Sequence, residues 1–174
     1  MSNVGSFKPE ANEYASYYGK YVQLVPEGNI IETLKNQMAQ STSLLRAITP
    51  EQSDFRYAPD KWSIKQLLGH LIDTERIFAY RALRFARADE TPLPGYDQDS
   101  YVQAGGFANR DFMDMIEEFE HVRRANIHLL RSLDDVAWLR RGQANDTEFT
   151  VRALAYIMAG HELHHVQILR EKYL

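Results

Sequence analysis

The chain has 174 residues, no cysteine and a formal net charge of −4. Without a thiol it can form no disulfide, thiolate ligand or cysteine nucleophile, so any bound ion must be held by imidazole nitrogens and carboxylate oxygens. The basic residues are dispersed apart from the Arg123-Arg124 and Arg140-Arg141 pairs, which read as solvated helix faces and leave no footprint for nucleic acid.

No apolar run approaches the ~18 residues of a membrane span, and the start of the chain has no basic segment leading into an apolar one. The expectation is a cytoplasmic protein with neither a nucleic-acid nor a membrane partner. The length suits one substantial core. Residues 1–28 form a polar segment rich in tyrosine, with Tyr14, Tyr17, Tyr18 and Tyr21, expected to cover the outside of a domain spanning 29–174.

Four amphipathic stretches follow, all read as helical, so the fold class is all-α. The first runs from about Asn29 to Ile48, with Ile30, Leu34, Met38, Leu45 and Ile48 on one side, and stops before Thr49-Pro50. Ser63 is the expected N-cap of a second helix that continues to about Arg87. A long link containing Thr91–Tyr101 comes next, and connections of this length in compact domains act as crossovers or as lids over a site. The third helix begins near Asn109 and Asp111 and carries Phe112, Ile116, Phe119, Val122, Leu129 and Leu133. The fourth follows the turn signal Asn145-Asp146 and runs from about Thr150 to the end of the sequence.

That last helix contains His161-Glu162-Leu163-His164-His165. Residues four apart lie one turn above each other, so His161 and His165 can converge on one ion. Both fall inside the apolar arc of Leu154, Ile157, Met158, Ile168 and Leu169. Burying their ring nitrogens costs about 1–3 kcal/mol each unless a hydrogen-bond partner or a metal satisfies them. The alternative is a pair of core histidines bonded to other side chains. The string also matches His-Glu-x-x-His of zinc proteases, but no further histidine, Gly-rich turn or Met-turn follows His165, which argues against that class.

A third ligand must then come from upstream. His70 is the best placed, on the edge of the apolar arc of the second helix, with Gly69 leaving room for close approach. His121 and His128 read as solvated, and His164 as a rim position. Two more polar residues fall where burial is expected: Gln37 on the first helix and Glu75 on the second. Glu75 is expected to pair with an arginine from a neighbouring helix, the alternative being a carboxylate that orients a ligating imidazole. In the link, Tyr96, Asp97 and Asp99 are the candidate substrate-contacting residues, because the link leaves directly from the helix that bears His70.

Trp62-Ser63-Ile64 followed by Gly69-His70-Leu71-Ile72-Asp73-Thr74-Glu75-Arg76, then Pro94-Gly95-Tyr96-Asp97-Gln98-Asp99, then Gly160-His161-Glu162-Leu163-His164-His165 with Ile168-Leu169-Arg170, resemble the DinB/YfiT-like superfamily. The resemblance runs from about Ile30 to the end. It implies a four-helix bundle with a long crossover link between helices 2 and 3, a divalent ion, zinc or nickel, on His70, His161 and His165, and a homodimer. Among relatives of this kind are S-transferases that use a low-molecular-weight thiol. The resemblance therefore implies a thiol cosubstrate activated at the ion for attack on a small electrophile; Glu162, near the metal-facing side of its helix, is the candidate base, the alternative being a surface or helix-pairing carboxylate. The alternatives it leaves are metal-dependent hydrolysis by an ion-activated water, and a metal-binding stress protein without turnover.

Overall fold

The computed structural model describes residues 4–174, so the first three residues of the expected extension lie outside it. In chain order the helices and strands are α1 (Gly19–Leu24), α2 (Ile30–Arg46), α3 (Pro50–Ser53), α4 (Ile64–Ala86), α5 (Gln98–Ala104), α6 (Phe112–Arg131), α7 (Asp135–Leu139), β1 (Arg141–Ala144), β2 (Thr147–Thr150) and α8 (Val151–Ile168), closed by a π-helical turn at Leu169–Tyr173. The four long helices begin where side chains satisfy their free N–H groups. Asn29 accepts from Ile31 N, Ser63 and Gln66 form a capping box, Asp111 accepts from Asp114 N and Thr150 from Ala153 N.

These helices, α2, α4, α6 and α8, make the bundle. α4 packs on α6 and α8, and α2 packs on the same two helices from the opposite corner. The contact register gives the directions. Gly69 of α4 touches Phe107 just ahead of α6, Arg76 bonds Glu118 and Asn126 reaches Glu75, so α4 and α6 run parallel. Against α8, α4 is antiparallel: His70 meets His161, and Trp62 at the head of α4 accepts from Tyr173 at the far end of the chain. Two adjacent parallel helices cannot be joined by a tight turn, which is why the link after α4 is long. No helix among the described residues is long and apolar enough to cross a membrane.

The structure adds a β-hairpin that the sequence reading passed over as part of a turn. Asn145 and Asp146, at φ 52° and 55°, make the turn between β1 and β2, whose register runs from Arg141 opposite Thr150 to Ala144 opposite Thr147. Leu93 of the link lies along β1, its N–H donating to Gln143 O and its carbonyl accepting from Asn145 N. The link is thereby tied down. The tyrosine-bearing segment packs as α1 across α8, and the backbones meet so closely at Gly160 that a Cβ there would overlap the Tyr21 carbonyl.

The apolar interior is divided in two. One cluster joins Ile30 and Leu34 with Phe78, Phe85, Leu130 and Leu154; the other joins Leu45 with Leu68, Ile72, Ile116, Phe119 and Leu169. Where they meet, the bundle is polar. Arg123, expected on a solvated face, is fully buried there, and its Nε and Nη2 donate to the Glu75 carboxylate at 3.1 and 2.5 Å. Its Nη2 also lies 2.7 Å from Glu162 Oε2, and Asn126 donates to Glu75 at 2.8 Å. Gln37 donates to the Ala159 carbonyl at 3.2 Å. The sequence could not place Arg123 from composition, but its spacing to Phe119 and Ile127 puts it on the apolar stripe of α6. Burial alone would lower the Arg123 pKa; Glu162 and Glu75 outweigh it and raise it.

Arg123→Met leaves two buried carboxylates without a counter-charge. The expected loss is about 3–5 kcal/mol, read as a fall of roughly 6–20 °C in Tm, with part regained when Glu75→Gln and Glu162→Gln are added. An Arg123→Met protein as stable as the parent would show that the ion cluster does not hold the bundle together.

Candidate metal centre

α4 supplies His70 and α8 supplies His161 and His165, one turn apart. Antiparallel packing brings the three rings to one point. His161 Nε2 is 3.0 Å from His70 Nε2 and 3.1 Å from His165 Nε2. Two imidazole nitrogens on one zinc ion, each about 2.0–2.1 Å away, stand roughly 3.3 Å apart in tetrahedral geometry and about 2.9 Å apart at a right angle. Both spacings to His161 lie between these, and all three donors lie within 4.8 Å of one another, so the group fits a divalent ion. No aspartate, glutamate or further histidine joins this group among the described residues.

Electrostatics favours the ligating form. His70 is 2 % exposed, and burial pushes its pKa down to about 4. Burial, helped by His70, His164 and Lys20, takes His165 down to about 3, and burial takes His161 well below the usual value. The rings are therefore neutral at pH 7, with lone pairs free. Aromatic rings wall the group: Trp62 lies 4.8 Å from His70 between centroids and Tyr21 5.5 Å from His161. His165 Nδ1 is buried without a hydrogen-bond partner.

Two clefts lead to the trio. One, of about 210 Å³, is lined by His161 with Thr74, Phe78, Arg81, Tyr96 and Asp97. The other, of about 180 Å³, is lined by His165 with Lys61, Trp62, Asp99 and Tyr173. The link thus borders both, carrying Tyr96 and Asp97 to one and Asp99 to the other. The Tyr96 hydroxyl is 2.9 Å from Thr74 Oγ1, and burial raises its pKa, so the phenol keeps its proton. Asp97 caps α5 by accepting from Ser100 N at 2.7 Å.

Glu162, expected as a base, is placed differently. It is 1 % exposed, lies against Arg123 and lines neither cleft. One residue along a helix turns a side chain by about 100°, so the neighbour of His161 faces Arg123 and not the trio. Glu75 meets Arg123 as the expected structural pair. His121 and His128 are exposed on α6 and His164 is half-buried. Sequence reasoning missed Arg81 and gave the tyrosines a covering role, whereas Tyr17, Tyr18 and Tyr21 line the His161 cleft.

Two outcomes test the centre. Elemental analysis should find one divalent ion per chain, and His161→Ala or His165→Ala should weaken its binding by more than the roughly 10–100-fold that loss of an outer-shell partner costs. Full occupancy in both variants would disprove the site. Acid should also destabilise the metal-free protein. Unfolded histidines take up protons near pH 6.5, whereas folded His70 does so only at about 4 and His165 at about 3. Below about 6.5 the unfolded chain binds more protons, so these residues lower stability progressively down to about pH 3. Urea midpoints that stay level in the parent and in a His70→Gln variant alike between pH 7 and 5 would contradict this.

The profile of the DinB superfamily matches residues 33–169. A Bacillus subtilis protein named "Putative metal-dependent hydrolase YfiT" is 21% identical over 171 residues, covering 97% of this chain and 90% of its own. A protein of Oceanobacillus iheyensis with the same functional name is 29% identical over 73 residues, which are 41% of this chain and 40% of that one. The solved structure of YfiT, described as having "an unusual four-helix bundle topology", superposes with a TM-score of 0.68 at 20% identity over 97% of each chain. With the matched segment spanning all four bundle helices, the chain belongs to the DinB superfamily.

Proposed function

We propose that this chain is a metal-dependent hydrolase for a small molecule, with zinc or nickel held by His70, His161 and His165. The observation that carries this reading is the convergence of three neutral imidazoles, with no fourth protein ligand in the group among the described residues, beside two clefts. Such an ion, when bound, supplies Lewis acidity and lowers the pKa of a water or thiol that reaches it. The chain's own residues do the rest. The imidazoles fix the position of the charge, while Trp62, Tyr21 and Phe78 keep bulk water from the rings. Tyr96, Asp97 and Asp99 border the clefts and contact the substrate. The relatives' names agree in kind.

A second reading, transfer of a low-molecular-weight thiol to an electrophile, draws support from the pair of clefts. Two approaches to one centre would let a thiol and an electrophile reach it from different sides, and the chain has no thiol of its own. The test is a turnover screen of zinc-loaded and nickel-loaded protein with p-nitrophenyl acetate, and with 1-chloro-2,4-dinitrobenzene plus several thiols. Hydrolysis is expected without added thiol and should fall at least ~100-fold in His165→Ala, the order of loss when a catalytic group is removed. Turnover only with a thiol supports the second reading. Inactivity of fully loaded protein in every assay would favour a non-catalytic metal-binding role.

A further inference from the structure

The His161 cleft holds a cation that the chain leaves uncompensated. Arg81 lies on the buried stripe of α4 with Phe78, Ala82 and Phe85, and is 3 % exposed. A guanidinium has five N–H donors. Its one hydrogen bond runs from Nη2 to the Pro94 carbonyl at 3.1 Å, and among the described residues no carboxylate lies within ion-pair distance. Arg123, buried like Arg81, has Glu75 and Glu162, and Arg152 has Glu13. A charge held this deep without a counter-ion is unfavourable unless something else supplies one.

Arg81 borders the cleft, and the Phe78 ring stands between it and the trio, its centroid 5.7 Å from the guanidinium and 6.4 Å from the His161 ring. A second cation is at hand. Lys20 Nζ lies 4.1 Å from the Tyr17 ring centroid and 4.9 Å from that of Tyr21, two rings that line the same cleft. The acid on the rim, Asp97, is engaged as the cap of α5.

We propose that Arg81 recognises a carboxylate on the substrate, so that the molecule acted on at the trio is a small carboxylic acid anion. This rests on the metal-dependent reading above. A planar fork of donors matches a carboxylate bidentately. The cleft's 210 Å³ is below the roughly 300–1,000 Å³ of pockets for drug-sized ligands, which suits a small acid. The nearest helix start, that of α5, is capped by the Asp97 carboxylate, which accepts from Ser100 N, so a doubly charged phosphate there would face an anion.

The test titrates full-length protein, zinc-loaded and metal-free, with succinate and in parallel with inorganic phosphate, by calorimetry. Succinate should bind the parent in both metal states and more tightly than phosphate. Its affinity should fall tenfold or more in Arg81→Gln and also fall in Arg81→Lys, which keeps the charge but loses the fork. In the parent, the Arg81 Nε–H resonance should shift on adding succinate, a readout that does not depend on the variants folding. Absence of succinate binding, equal affinity in a folded Arg81→Gln protein, an unmoved resonance, or tighter phosphate binding would each overturn the proposal. The metal-free arm separates the two readings. Arg81-dependent succinate binding in a protein that fails to hold zinc sinks only the metal reading, and zinc binding without succinate binding sinks only this one.

Discussion

The bundle depends on one buried guanidinium. Arg123 lies where all four long helices come together, reaching Glu75 on α4, Glu162 on α8 and the Leu34 carbonyl on α2 from its own position on α6. Apolar contacts are tolerant of sliding, since one aliphatic surface meets another almost as well after a shift of a turn. A forked ion pair is not, because misregistration would strand charges inside the protein. The polar layer therefore fixes the axial register of the helices, while the two apolar clusters on either side supply most of the burial energy.

Register is what a metal centre needs. His70 stands five residues before Glu75, and His161 immediately before Glu162, so the helices locked together by Arg123 are the ones that present the trio. The parallel run of α4 and α6 adds a second consequence. Their connection must travel back along the bundle, and Leu93 secures it against the edge of β1, which brings Tyr96, Asp97 and Asp99 to the mouths of both clefts. A topological necessity thus becomes the cover of the site.

Much of this was legible in the sequence because helical periodicity is a strong signal over long segments. The caps at Asn29, Ser63, Asp111 and Thr150 mark the four helix starts to within a residue or two, and the place of His70 at the edge of an apolar arc, beside Gly69, makes it the candidate to join His161 and His165. Two arginines escape that signal: Arg123 reads as part of a solvated Arg123-Arg124 pair, and Arg81 draws no reading at all. Arg123 stands four residues after Phe119 and four before Ile127, and Arg81 three after Phe78 and four before Phe85. Each sits on an apolar stripe, where a charge signals a buried partner or a ligand. The hairpin was missed for another reason. Asn145-Asp146 between Gly142-Gln143-Ala144 and Thr147-Glu148-Phe149-Thr150 is a two-residue turn flanked by short strands, too brief for periodicity to register.

Gly160, His161 and Glu162 concentrate three constraints in one helical turn of α8. Gly160 admits the α1 backbone, His161 faces the trio and its cleft, and Glu162 enters the polar layer. Their side-chain directions differ by about 100° per step, so the three demands fall on three sides of the helix and do not compete. The price is rigidity: no small rotation of α8 improves one contact without spoiling the others. His161 is thus positioned by packing from three directions. The same arrangement leaves the open side of the trio to the link and to α1, which bring Tyr96 and Tyr21 to the first cleft. What that cleft admits is therefore set by residues outside the trio, with Arg81 and the tyrosines lying at its boundary.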